Sequence, residues 1–203
     1  MPDTGAPWNI PYVAGTDLVR DWPTDSQDLA EAIADGLDAA GNAGIGTNVV
    51  QTVKTDTFST SSTSFTTVTG LTASITPTAA SSKVLIIAQI SHALNESNAT
   101  TNRNVGHFKV TRGGTDIYIG DAASNRVRAV FGGFIEVTGL KYYVLSESIV
   151  FLDSPATTSS TTYQVEVQAV DSGTVHINRD EENADSANEV RGASSITVIE
   201  VAA

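Results

Sequence analysis

From Val49 onward, apolar residues recur at every second position over most of the chain. Successive side chains of an extended strand point to opposite faces, so this period means sheets with one buried face. Tyr163, Val165, Val167 and Ala169 fall on one side of such a strand, with Gln164, Glu166 and Gln168 on the other. Strand character is expected over 49–54, 64–69, 71–77, 83–92, 105–112, 115–120, 127–137, 143–152, 161–170, 173–179 and 194–201. Turn residues separate them: Gly70, Pro77, Gly113-Gly114, Gly132-Gly133, Gly139, Asp153-Ser154-Pro155, Asp171-Ser172-Gly173 and Arg191-Gly192. Many short strands without intervening helices indicate an all-β sandwich or barrel.

Two hairpins are expected, one about Gly113-Gly114 and one joining Tyr163–Val170 to Thr174–Asn178 through Ser172-Gly173. Ile196, Val198 and Val201 suit a final strand in which Ile199 is also expected to be buried. The segment 84–90 is apolar on both faces. Such a strand is central in a sandwich or pressed against another subunit.

Ahead of this region the pattern differs. Residues 1–23 carry Pro2, Pro7, Pro11 and Pro23, which disfavour helix. The same stretch holds both tryptophans, Trp8 and Trp22, with Ile10, Tyr12, Val13, Leu18 and Val19. A flexible tail seldom carries so many apolar residues, so this arm is expected to dock, on another chain in preference to its own domain. Residues 24–40 suit a helix capped by Thr24 or Asp25, with Leu29, Ile33 and Leu37 forming a narrow apolar stripe. Gly41, Gly44 and Gly46 then form a linker. Two regions follow: 1–45 as arm and helix, 46–203 as a β domain.

Composition removes several kinds of function. The net charge of −12 opposes binding to phosphate backbones and to anionic membranes. With no cysteine there are no disulfides, thiolate metal sites or cysteine nucleophiles. The opening MPDTGAPWNIPYV lacks the basic start and apolar run of a signal peptide. No apolar run approaches the ~18 residues of a membrane span, so no membrane insertion is expected.

Chemistry-bearing motifs are sparse. His92, His107 and His176 stand on different expected strands without metal-ligand spacing and read as ordinary strand or loop histidines. Neither a phosphate-binding glycine loop nor a Gly-x-Ser-x-Gly elbow is present. Asp116, Asp121, Glu136 and Glu147 have no spacing that marks a catalytic pair. The acidic stretch Asp180-Glu181-Glu182-Asn183-Ala184-Asp185 lacks any calcium-loop pattern and is expected to be a solvated loop. No enzymatic activity, cofactor or metal is expected. The stretch 95–104 is nearly free of apolar residues and reads as a long exposed loop, the kind that carries binding on β scaffolds.

Residues 49–86, VVQTVKTDTFSTSSTSFTTVTGLTASITPTAASSKVLI, resemble the opening of a domain of bacteriophage tail-fibre and other virion proteins. The blocks FLDSPATTSSTTYQVEV, HINRD and RGASSITVIEVAA are similar to its close. The start, PWNIPYVAGTDLVRDWPTDSQDLAEAIADGLDAA, resembles the virion-attachment segment of such proteins. This resemblance implies a trimeric jelly-roll domain like those of the C1q and tumour-necrosis-factor group, and an arm that fixes the protein to the particle. Residues 92–147 depart from the pattern, and 203 residues is short for a fibre with a shaft.

The expectation is therefore a jelly-roll-like antiparallel β-sandwich preceded by an extended arm and one short helix. Its expected function is virion structure: a short tail fibre or receptor-binding appendage, acting as a homotrimer. Alternatives are a capsid decoration protein or head fibre, and a carbohydrate-binding module. Trp8, Ile10, Tyr12, Leu18, Trp22, Leu29, Ile33 and Leu37 are the candidate contacts to other virion proteins. Asn98, Thr101, Asn102, Arg103, Asn125 and Arg126 are candidates for binding a host-surface glycan, because Asn, Thr and Arg can hydrogen-bond sugar hydroxyls.

Overall fold

The computed structural model describes residues 22–42, 45–95, 104–135, 142–170 and 173–202. Within them the period-two segments form two antiparallel sheets. The first contains β1 (Ile45–Lys54), β2 (Phe58–Thr60), β4 (Lys83–Asn95), β8 (Leu145–Asp153), β10 (Thr174–Ile177) and β11 (Ser194–Val201). The second contains β3 (Thr66–Ile75), β5 (Asn104–Arg112), β6 (Thr115–Ile117), β7 (Phe131–Ile135) and β9 (Thr161–Ala169). A helix, α1 (Trp22–Asn42), precedes them.

Several strands are fragments of one line. β11 pairs with Lys83–Gln89 of β4, and β10 pairs with His92–Asn95 farther along the same edge. They run in the same direction, so together they form one strand interrupted by residues 178–193. β1 and β2 lie end to end beside them, broken at 55–57. β6 and β7 share one edge of β5, broken at 118–130. The eleven segments thus fall on eight lines, three pairs of segments sharing a line. The sheets read β1/β2–β11/β10–β4–β8 and β3–β9–β5–β6/β7. Numbered along the chain, that order is 1-8-3-6 over 2-7-4-5, the jelly-roll arrangement of two packed sheets. The first strand of the domain lies beside its last, with Ile45 opposite Val201.

The core lies between the sheets. Ile86, Ala88 and Ile90 of β4 and Ile196 and Val198 of β11 meet Val68, Leu71, Phe108, Tyr163 and Val165 from the other side. Full burial of one such side chain contributes about 1.5–3 kcal/mol. Asp153, at the end of β8, joins the two layers. It accepts from Arg112 Nη1 of β5 at 2.8 Å and from Tyr163 Oη of β9 at 2.7 Å.

At the break between β10 and β11, Asn178 takes a left-handed backbone (φ 62°). Its Nδ2 donates to the carbonyls of Lys54 and Asp56, and its Oδ1 accepts from Ser194 Oγ at 2.6 Å. One side chain therefore ties both broken lines together.

Several expectations are corrected. Gly70 is not a turn: β3 runs through it, with a register shift between Thr67 and Thr72 and φ of 86° at the glycine. Gly132-Gly133 also lies inside a strand, paired with His107 and Gly106. A Cβ on Gly132 would come within 2.9 Å of the His107 ring, so the glycine permits a close approach. The strand expected at 115–120 stops at Ile117, because Tyr118 is left-handed (φ 51°). Tyr163–Val170 and Thr174–Asn178 do not form a hairpin: β9 already has β3 and β5 on its two edges, so β10 joins the other sheet. The helix begins at Trp22, so Thr24 and Asp25 lie in its first turn and not at its cap. The hairpin about Gly113-Gly114 is present, both glycines having positive φ and Arg112 pairing with Thr115.

Candidate interaction surface

The outward face of the first sheet is the most distinctive surface among the described residues. Strand register places Val49, Ile199, Leu85 and Leu152 in one row across it. The next row is Gln51, Thr197, Ile87 and Val150, and the third is Val53, Ser195, Gln89 and Ser148. Val150, Val53 and Val49 are 57%, 55% and 51% exposed. One sheet face of a water-soluble sandwich ordinarily alternates to polar residues, so adjoining exposed aliphatics mark an interaction site.

The polar residues in these rows bond sideways to one another. Gln51 Nε2 donates to Thr197 Oγ1 at 2.9 Å, and Gln89 Nε2 donates to Ser146 Oγ at 2.6 Å. Ser148 Oγ donates to Gln89 Oε1. Covering the face would therefore strand few hydrogen-bonding groups, which is the usual cost of drying a polar surface. None of the three rows contains a charged residue.

The sequence pointed to this face only at 84–90, where apolar residues occupy both sides of the strand. The structure confirms that β4 is central, flanked by β8 on one edge and by β11 and β10 on the other. The continuation onto β1 and β8 was missed. Its signal was present in the unbroken runs Val49-Val50 and Ile149-Val150-Phe151-Leu152. Ile199, expected to be buried, sits on this outward face and is half-covered.

The expected arm contacts Trp8, Ile10, Tyr12 and Leu18 lie outside the described residues, as do the side chains of Trp22 and Leu37. On α1, Leu29 is half-buried and Ile33 is 44% exposed. Of the expected glycan contacts, Asn98, Thr101, Asn102 and Arg103 also lie outside the described residues.

Asn125 and Arg126 are exposed in the 118–130 excursion. That excursion is ordered by Gly120 N donating to Ala129 O and by Arg128 Nε donating to Gly120 O at 2.7 Å. Tyr118 starts it, half-exposed and stacked on Phe151 at 4.7 Å between ring centroids.

The acidic stretch is not wholly a solvated loop. Asp180 is 1% exposed, and its carboxylate accepts from the amides of Asn183 and Val190. No group of three or more His, Asp or Glu side chains arranged to hold a metal ion occurs among the described residues. The three histidines lie on strands β4, β5 and β10, as ordinary strand histidines do, His92 on the inward face of β4 and fully buried.

No family model matches the sequence, and no curated protein matches it. Among solved structures, the chain is similar to the VP2 subviral particle of infectious bursal disease virus at 16% identity and a TM-score of 0.27. That alignment covers 76% of this chain and 37% of the viral one. A likeness so distant bears on neither fold nor function.

Proposed function

We propose that this chain is a virion structural protein, a short bacteriophage tail fibre or receptor-binding appendage that assembles as a homotrimer. The observation that carries the reading is the three charge-free rows on the outward face of the first sheet, centred on Leu85, Ile87, Val150 and Leu152. A second copy of this chain is its occupant. The chain carries a net charge of −12, so like copies repel over most of their surface; a face without charge is where they can meet. The resemblance of residues 49–86 and of the closing blocks to trimeric phage domains supports the same partner.

In this reading residues 1–45 fasten the protein to another virion protein, and the 95–104 and 118–130 segments reach a glycan on the host surface. The measurement that tests it compares phage particles carrying the full chain with particles carrying a version that lacks residues 1–45. The shortened protein should fold and trimerise yet be missing from purified particles. Its retention on particles would overturn the anchor, and localisation to the head by immunogold would replace the tail fibre with a capsid decoration protein or head fibre.

A further inference from the structure

We propose that the end of the sandwich formed by β2, β10 and the adjoining part of β4 is an acid-sensitive latch, opened by protonation of His92 and His176 while the rest of the sandwich stays closed. The inference is independent of where the chain sits in a particle.

His92 is fully buried, and neither ring nitrogen makes a hydrogen bond. Its ring lies 4.6 Å from Phe108 of β5 and 6.0 Å from Phe131 of β7, centroid to centroid. Its register partners are Ile177 on β10 and Leu145 on β8. None of these side chains can accept a proton from an imidazolium, and only the Ile90 backbone favours the charged ring, an effect that burial outweighs. The nearest acid along that face of β8 is Glu147, which pairs with Ile90 and is exposed to solvent. A charge created at His92 would be buried with no counter-ion beside it.

His176 lies on the opposite side of the sheet, in register with Ala93 of β4 and Ser59 of β2. It is buried, and its Nδ1 lies 2.6 Å from Arg179 Nη2 and 2.9 Å from Ser59 Oγ. A guanidinium only donates, so Nδ1 must be the acceptor and the ring proton must sit on Nε2. Nε2 is itself buried without a partner. A second proton at Nδ1 would remove the acceptor and set two cations against each other. Asp180 draws a proton the other way, but its oxygens are already held by the amides of Asn183 and Val190. Arg179 is itself repelled by Arg191 and attracted by Asp180 and Glu181.

Burial, aided at His176 by Arg179, pushes both imidazoles down to about 4. The open chain takes up these protons near 6.5. Opening therefore becomes easier as pH falls from 6.5 toward 4 and is insensitive to pH above that window. Both histidines act on the short β10–β4 pairing, whereas β3–β9 and β1–β11 contain none.

Amide hydrogen exchange of the full chain at pH 7.5 and pH 5, corrected for intrinsic rates, tests the latch. Opening of residues 58–60 and 174–177 should rise by about 30-fold for each histidine, with β3, which pairs with no histidine, unchanged. The rise should vanish when H92L and H176Q are combined. Unchanged protection at 174–177 at pH 5, or acceleration that survives in the double variant, would overturn the proposal. Should the double variant fail to fold, imidazole NMR titration of the native protein decides: midpoints near 4 support the latch, and midpoints above 6 refute it.

Discussion

Glu200 shows how one side chain can hold a loop to a sheet. It is fully buried on β11, and its carboxylate accepts from Thr78 N at 2.7 Å, Thr78 Oγ1 at 2.6 Å and Asn48 Nδ2 at 3.3 Å. Burial alone would raise its pKa, but the donors around it override that and hold it at about 2. A carboxyl depressed in the folded state stabilises the fold above its unfolded pKa and loses that contribution as pH falls. The window here runs from about 4.5 down to about 2. E200Q should cost about 2 kcal/mol at pH 7, because an amide presents a donor to groups that also donate. Urea denaturation from pH 7 to pH 3 should show the gap to the native protein narrowing below pH 4.5. The clue in the sequence was an acid at 200, in phase with the inward-facing Ile196 and Val198. Alternation identifies the face on which a residue lies, but not which loop will bring it donors.

At the scale of elements, the strands were legible because each obeys a two-residue period. Their sheet membership was not. β9 and β10 are separated by the same Gly-containing signal that marks the true hairpin of β5 and β6, yet they belong to different sheets. Local turn chemistry does not record whether a strand's edges are already occupied. β2 was missed for a different reason: three residues, Phe58 to Thr60, are too few to show a period. The broken lines depend on close backbone approaches that only small residues allow. Where the 178–193 excursion rejoins the sheet, Gly192 N donates to Asn178 O, and any Cβ at Gly192 would overlap Ser91. G192V should therefore destabilise the domain by about 1–3 kcal/mol. Exchange of the Asn178 and Gly192 amides should quicken before that of β3 or β9; equal protection in both proteins would sink this account.

For the molecule as a whole, the apolar face and the strong net charge make one prediction together. The native chain should sediment as a trimer at neutral pH. V150D, which places a charge in the middle row of the face and removes no core contact, should sediment as a monomer with an unchanged far-ultraviolet spectrum. A native monomer at high concentration would remove the proposed role of this face. Sequence reading reached the idea of a covered sheet through 84–90 but not its extent. The flanking strands dilute their outward valines with Ser, Thr and Gln, and only register lines the valines up into rows.

The pairing of Ile45 with Val201 also governs how the polypeptide is born. A ribosome releases the first strand long before the last one exists. Until β11 has been made, β1 has no neighbour in its sheet, and the two layers cannot seal. Closure of the sandwich must therefore wait for β11, so β1 spends the synthesis of the whole intervening domain as an open edge.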